Sequence, residues 1–495
     1  MAVANGKQDR NIVMFPFMAH GHINPFMALA RQLEQRKGYK ITIVNTPLNI
    51  SKLKSSLPSK TNIHLVEIPF NATDYGLPHD TENTDKLSFE FILRFLEASE
   101  NLQSPFKSLL IDITNKDGNP PLCIISDMFL GWTVEVANEL GIFHSVFIAG
   151  AGYSMATYFS FSLNIDQYQP DQEEFLLLDF PEAEGPIQRL QLGDDLKVFD
   201  GSDIFNLFRK RQFSLCLHSD AILLNSIDEL GQSGVTYFSR KTGGKPVWSI
   251  GPACNSILKK DDSKEVSADI HCFCSSWLDI HPPASVLYVC FGSQNTILPS
   301  QLMELAKGLE ASGKAFIWVI RPPIGFGVTE EFRAQWLPDG FEERVRRTNQ
   351  GLLMHNWAPQ LQILSHKSTG AFLGHCGWNS VLESLIAGIP MIGWPLGGEQ
   401  FFNSYMLEKE VGVCIEIARG CNSAIIDHDH IARVIKMVMG ETGKGEELRR
   451  KACQIKEKME DAIREGEGFK GSSITAMDQF LETASLRNKR SAFSK

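Results

Sequence analysis

The chain reads as an α/β protein of two domains, each with a parallel sheet covered by helices. Three observations predict this. The length of 495 residues exceeds one ordinary domain. Short apolar runs alternate with helical patterns from end to end, as βα units require. The alternation falls into two series, broken by the polar, aperiodic stretch CNSILKKDDSKEVSADIHCFC at 254–274. No internal repeat suggests a solenoid.

In the first series NIVMFPF is the opening strand, and PFMALARQLEQRK is predicted as a helix with Pro25 at its first position. YKITIVNT, IHLVEI, LCIISD, HSVFI and DAILLNS follow as strands. The second series runs through SVLYVCFGS, AFIWVI, GLLMHNW, TGAFLG and PMIGW. The expected organisation is an N-terminal domain over 1–252, a linker over 253–275, a C-terminal domain over 276–470, and a final amphipathic helix with a basic tail over 471–495. In open parallel sheets, ligands bind at the carboxyl ends of the strands.

Composition excludes several classes. A net charge of −10 argues against a nucleic-acid partner. No apolar run has the length of an integral membrane span, and the first residues lack the apolar core of a secretory signal. Ten cysteines in so long a chain fit buried thiols of a reducing, cytoplasmic compartment better than a disulfide framework. His271, Cys272 and Cys274 are spaced too tightly for a zinc knuckle, and no second pair follows, so no metal is expected.

Residues 357–400, WAPQLQILSHKSTGAFLGHCGWNSVLESLIAGIPMIGWPLGGEQ, carry the densest chemistry. They read as strand, glycine-rich turn, helix, strand. Asn379 or Ser380 can cap the helix and Gly388 can stop it. A helix N-terminus after a strand presents unpaired N–H groups and partial positive charge, which suits phosphate. An indole at 357, an imidazole at 375 and hydrogen-bonding groups at 399 and 400 gather around that turn, as a nucleotide-sugar pocket would need.

This stretch resembles the donor-binding signature of the plant UDP-dependent glycosyltransferases, the family-one enzymes that glycosylate small metabolites. W-A-P-Q, I-L-x-H, H-C-G-W-N-S, E-S, G-x-P, W-P and the closing acid-Gln all occur in order. The resemblance extends through SSWLDIHPPASVLYVCFGSQ, ELAKGLEASGKAFIWVIRPP, WLPDGFEERV and GHINPFMALARQLEQR, and so covers most of the chain. It implies the GT-B arrangement, two Rossmann-like domains with parallel sheets facing a central cleft, the final helix crossing back to the first domain. It also implies the following roles. Trp357 stacks on uracil, an interaction of roughly 1–3 kcal/mol. Ala358 pairs with the base edge through its backbone. Gln360 and Glu383 hold ribose hydroxyls. His375, Asn379, Ser380 and Ser293 contact the pyrophosphate, and Trp378, Glu399 and Gln400 contact the sugar. A terminal Gln in this family accompanies glucose donors, so UDP-glucose is the expected co-substrate, with no cofactor and no metal. Gly374 departs from the family, which has Ser or Thr before the histidine. So does the run Ile148-Ala149-Gly150-Ala151, where the family places a hydroxyl near the sugar.

His22 follows the first strand in AHGHINP, at the start of the first helix. A helix N-terminus disfavours imidazolium and keeps the ring able to accept a proton. Asp127 ends LCIISD at the carboxyl end of another strand, and could orient that ring or merely cap the following helix. The resemblance makes His22 the catalytic base and Asp127 its partner, with His20 packing locally. The expected reaction is inverting transfer of glucose to a hydroxyl of a small lipophilic acceptor (flavonoid, phenolic or terpenoid). Alternatives are another UDP-sugar or a non-catalytic nucleotide-sugar binder. No Gly-x-Ser-x-Gly elbow, Gly-x-Gly-x-x-Gly turn or P-loop supports a hydrolase, dehydrogenase or kinase. Phe15, Phe17, Phe91, Phe95, Phe129 and Phe159 are candidates for an acceptor pocket or for core, and the acidic region 160–200 for acceptor choice. A monomer is the default.

Overall fold

The computed structural model describes residues 11–493, apart from 170, 184, 190–191, 193–195, 197–202, 255–264, 295, 328–329, 356, 421–424 and 442. The chain divides into two compact units. One comprises Met1–Ile187, Val198–Asp261 and Asp461–Lys495; the other comprises Gln188–Lys197 and Asp262–Glu460.

The first unit is built on a seven-stranded sheet. Its strands are β1 (Asn11–Phe15), β2 (Lys40–Asn45), β3 (Ile63–Glu67), β4 (Cys123–Asp127) and β5 (His144–Ile148), then Ala221–Leu224 and Val247–Ser249. They lie in the order β3-β2-β1-β4-β5, followed by the last two, and every pairing is parallel. β1, β4 and β5 are buried on both faces, which is why they read as continuous apolar runs. One side is packed by helix α1 (His20–Lys37) and the final helix Ser472–Phe493. Ala476, Met477, Phe480, Leu481 and Ala484 join a core with Ile12, Met14, Phe26, Phe143 and Phe147. The other side holds Val13, Phe15, Phe95, Phe106 and Trp132.

The second unit repeats this plan with six parallel strands: Gly351–His355, Ala315–Ile320, Val286–Cys290, Thr369–Gly374, Met391–Gly393 and Cys414–Glu416 across the sheet. In both units the chain starts at an inner strand, winds outward for two strands, then crosses to the other side of the first. That is the doubly wound order, and its switch point lies between the first and fourth strands.

Several local expectations need correction. Helix α1 begins at His20, five residues before Pro25, which sits inside it. The ring removes one N–H, yet the following turns carry the helix. The signature helix Trp378–Ala387 is capped by Gly377, with no side-chain cap from Asn379 or Ser380. Gly388 ends it in the left-handed conformation (φ 77°), as the sequence predicts. Of the expected linker, residues 255–264 lie outside the described residues, and Glu265–Asp279 is helical.

Candidate active site

Each unit gathers polar groups at its switch point. In the first, α1 leaves β1 and brings His22 into its first turn, which holds no acidic residue. β4, the neighbour of β1 across the switch, ends on Asp127. His22 Nδ1 lies 2.8 Å from Asp127 Oδ2, with the carboxylate buried and about a fifth of the imidazole exposed (21%). A carboxylate only accepts, so Nδ1 carries the hydrogen and Nε2 keeps its lone pair. The other oxygen, Oδ1, accepts the Phe129 N–H at 3.0 Å and caps the short turn Met128–Leu130. Asp127 thus fills both roles that its position allows, and the cap fixes the carboxylate that orients the ring.

Phe17 and Phe129 flank His22, with ring centroids at 5.6 and 5.3 Å. Phe15, Phe17, Phe95 and Phe159 are buried core, whereas Phe91 and Phe129 keep partial exposure. His20 pairs with Asp85, separately from the His22 pair.

In the second unit the strand Val286–Cys290 leads to Gly292 and the exposed Ser293, and Thr369–Gly374 leads to His375. The His375 ring is buried between two glycines. A Cβ on Gly292 would lie 2.7 Å from its Cε1, and one on Gly377 would lie 2.4 Å from its Nε2. Gly292 also has φ +78°, so two separate demands select glycine there. Burial pushes the His375 imidazole down to about 4, so it is neutral at physiological pH. Its Nδ1 is buried with no hydrogen-bond partner among the described residues. A buried orphan nitrogen beside a helix N-terminus whose cap residue is a glycine, with no side-chain cap, suits a diphosphate. Between them, Cys376 adopts φ +60°, an uncommon backbone for a residue with a side chain, with its carbonyl held by Asn403 Nδ2 at 2.9 Å.

Gly374 has a physical reason to depart from Ser or Thr. A Cβ there would lie 2.7 Å from Cζ of Phe372, whose ring stacks on Tyr288 at 5.3 Å. Phe372 occupies the space that a hydroxyl side chain would need.

Gln360, Ser380 and Glu383 form one network. The Gln360 amide donates to Glu383 Oε2 at 2.6 Å and to Ser380 Oγ at 3.1 Å, and its carbonyl accepts from the Tyr288 hydroxyl at 3.2 Å. Burial raises Glu383 to about 7, partly offset by the Gln360 hydrogen bond. Trp357 is half exposed (50%), and Ala358 beside it is buried. Trp378 is buried at the helix start, with Asn379 next to it at intermediate exposure. Glu399 stands at the N-cap position of the helix Gln400–Tyr405 without capping it by its side chain. Gln400 Oε1 accepts from the N–H groups of Leu396 and Gly397, at 3.0 and 3.1 Å, which leaves its amide hydrogens for a ligand.

Sequence reasoning passed over Tyr288, Gly292, Gly377 and Arg321, which donates to the Ser293 carbonyl. The glycines were visible in FGS and HCGW, but their reason is the ring packed between them. Among the described residues, one set has the spacing of metal ligands, Glu304, Asp427 and His428. It is tied up as an ion-pair cluster, with Lys307 on Glu304 at 2.7 Å.

Comparisons with known proteins place the chain in a family. Residues 270–441 match the family model described as UDP-glucoronosyl and UDP-glucosyl transferase. The chain is 46% identical to UDP-glycosyltransferase 92A1 of Arabidopsis thaliana over 494 residues, covering 98% of this chain and 99% of that protein. It is 42% identical to crocetin glucosyltransferase 3 of Crocus sativus, covering 88% of this chain and 92% of that one. Phytolacca americana UGT2, solved with UDP-2fluoro-glucose and pterostilbene, superposes with a TM-score of 0.77 at 27% identity, over 96% of this chain and 100% of the other.

Two doubly wound units, one with a His–Asp pair and one with a phosphate-ready turn, define a sugar-transferring enzyme of the GT-B class. More narrowly, the chain belongs to the plant UDP-glycosyltransferase family.

Proposed function

We propose that the protein transfers glucose from UDP-glucose to a hydroxyl of a small lipophilic acceptor, with inversion to a β-glucoside. His22 Nε2 takes the acceptor proton as the oxygen attacks C1 of glucose. The C1–O bond to the diphosphate breaks, and UDP leaves with the electron pair. Asp127 holds the tautomer and stabilises the imidazolium that forms. The observation that carries this reading is the 2.8 Å contact between His22 and the buried carboxylate, because a protein that only bound nucleotide sugars would need neither group.

On the donor side, uracil stacks on Trp357 and pairs with the Ala358 backbone, and the ribose hydroxyls meet Glu383 and Gln360. The diphosphate meets His375, Asn379, Ser380 and Ser293. Trp378, Glu399 and Gln400 take the sugar. Neutral donors and backbone N–H groups stabilise the departing diphosphate, so the reaction runs without a resident metal. Support for glucose comes from Gln400, from the relative named for crocetin glucosylation and from the relative solved with UDP-2fluoro-glucose, and support for an aromatic acceptor comes from the pterostilbene of that same complex. Phe129, partly exposed beside His22, suits a planar phenol.

Purified protein with UDP-glucose, UDP-galactose and a panel of phenolic, flavonoid and terpenoid alcohols tests this. The expected product is a β-glucoside, by the anomeric coupling in proton NMR. An α-linked product, or binding of UDP-glucose with no turnover on any alcohol, would count against it. We also assign the protein to the cytoplasm. All described cysteines are free thiols, and no described helix is long and apolar enough to cross a membrane. Imaging of a fluorescent fusion checks the location.

A further inference from the structure

We propose that His271 is a positioning residue for donor recognition, holding the Trp357 indole in place through an edge contact that Gln362 enforces. This rests on the reading of Trp357 as the uracil platform. His271 lies on the helix Glu265–Asp279 and Gln362 on the helix Gln360–Ser365, 91 residues apart in sequence. The two are joined twice. His271 Nδ1 is hydrogen-bonded to Gln362 Oε1, and Gln362 Nε2 donates to the His271 carbonyl at 3.1 Å. The same amide reaches Ser275 Oγ, one turn along the helix. One glutamine thus fixes both the backbone and the ring of His271. Its own helix begins three residues after Trp357, so the clamp and the indole share one short segment.

The imidazole lies 6.1 Å from the Trp357 ring, inclined at 60°. It is the one aromatic contact that the indole makes among the described residues. Rings at this angle meet edge to face, not in the parallel overlap that a nucleobase takes. The contact therefore restrains a half-exposed side chain without imitating its ligand. An indole already held in place loses less rotamer freedom when uracil binds, and that difference appears as donor affinity. This also explains HCFC without a metal. Cys274 is buried, Cys272 is exposed, and the imidazole is engaged by Gln362.

The test is calorimetric binding of UDP, together with kcat and KM for UDP-glucose. His271→Ala is expected to raise the Kd for UDP and the donor KM by about 3- to 10-fold, the size of one aromatic edge contact, and to leave kcat within about twofold. His271→Phe, which keeps a ring and the backbone bond to Gln362 but loses the bond at Nδ1, is expected to restore part of that affinity. In a Trp357→Ala background, His271→Ala is expected to add nothing. If His271→Ala leaves the Kd for UDP unchanged while Trp357→Ala raises it, the positioning role is wrong and the platform stands. If the two substitutions weaken binding additively, His271 acts elsewhere and the proposal fails. If Trp357→Ala itself leaves UDP binding unchanged, the platform reading falls first and takes this proposal with it.

Discussion

The two units share one winding and use it for opposite ends. Each places a histidine just after a strand at the switch point. In the first unit the ring is partly exposed and leans on a buried carboxylate, 2.8 Å from His22. In the second it is sealed between glycines, with no carboxylate partner among the described residues, and burial drives it down to about 4. A carboxylate-backed imidazole can take up a proton and hold it; a desolvated one resists protonation and serves as a neutral hydrogen-bonding group. On the proposed reading, the same topology supplies a place for a base and a place for a leaving group, and the neighbouring residues decide which.

The largest effect that tests this contrast is at Asp127. Asp127→Asn keeps a carbonyl for the Phe129 N–H, so the turn should survive, but it can present an amide hydrogen to His22 and select the wrong tautomer. We expect kcat to fall by about 10²–10⁴ fold with the donor Kd unchanged, read by steady-state kinetics. Next is Gly377→Ala. The new Cβ would lie 2.4 Å from a ring that Gly292 hems in from elsewhere, so the ring cannot retreat. Overpacking of this kind costs about 1–3 kcal/mol. Thermal unfolding should show the loss, and UDP affinity should drop about tenfold.

A smaller effect concerns pH. Glu383 is raised to about 7, so near neutrality the folded protein holds it partly protonated. In the proposed donor site the ribose hydroxyls donate to the carboxylate, so UDP-glucose should bind more tightly as pH rises from about 6 to about 8. Glu383→Gln should bind more weakly and lose that slope. The sign for stability is the reverse. An acid with a raised folded pKa favours the folded state below its ordinary value of 4.5, and that contribution is lost as pH rises through about 7. The smallest expected effect is that of a chelator: if neutral donors and backbone N–H groups stabilise the departing diphosphate, as proposed, EDTA should leave turnover unchanged.

The long apolar strands were legible because burial on both faces writes them as unbroken runs, as in VLYVC and TGAFLG. Val247–Ser249 and Cys414–Glu416 escaped notice because three residues carry no period. His22 and Asp127 could be singled out from strand ends, yet their pairing spans 105 residues and only the fold brings it about. The family signature assigns Gln360 and Glu383 together to the ribose; that the Gln360 amide also lowers the carboxyl that burial raises is a fact of packing. The predicted cap at Asn379 or Ser380 failed because Gly377, squeezed against His375, already occupies the cap position. Local rules favour Asn or Ser there, and the ring overrules them.

The division of labour between the two histidines is tested most directly by measuring kcat and the UDP-glucose Kd side by side for His22→Ala and His375→Ala. The account predicts that the first lowers kcat by about 10²–10⁴ fold at unchanged donor affinity, while the second weakens donor binding. A His22→Ala enzyme that kept full kcat on an alcohol acceptor, or that lost donor affinity as His375→Ala does, would contradict it.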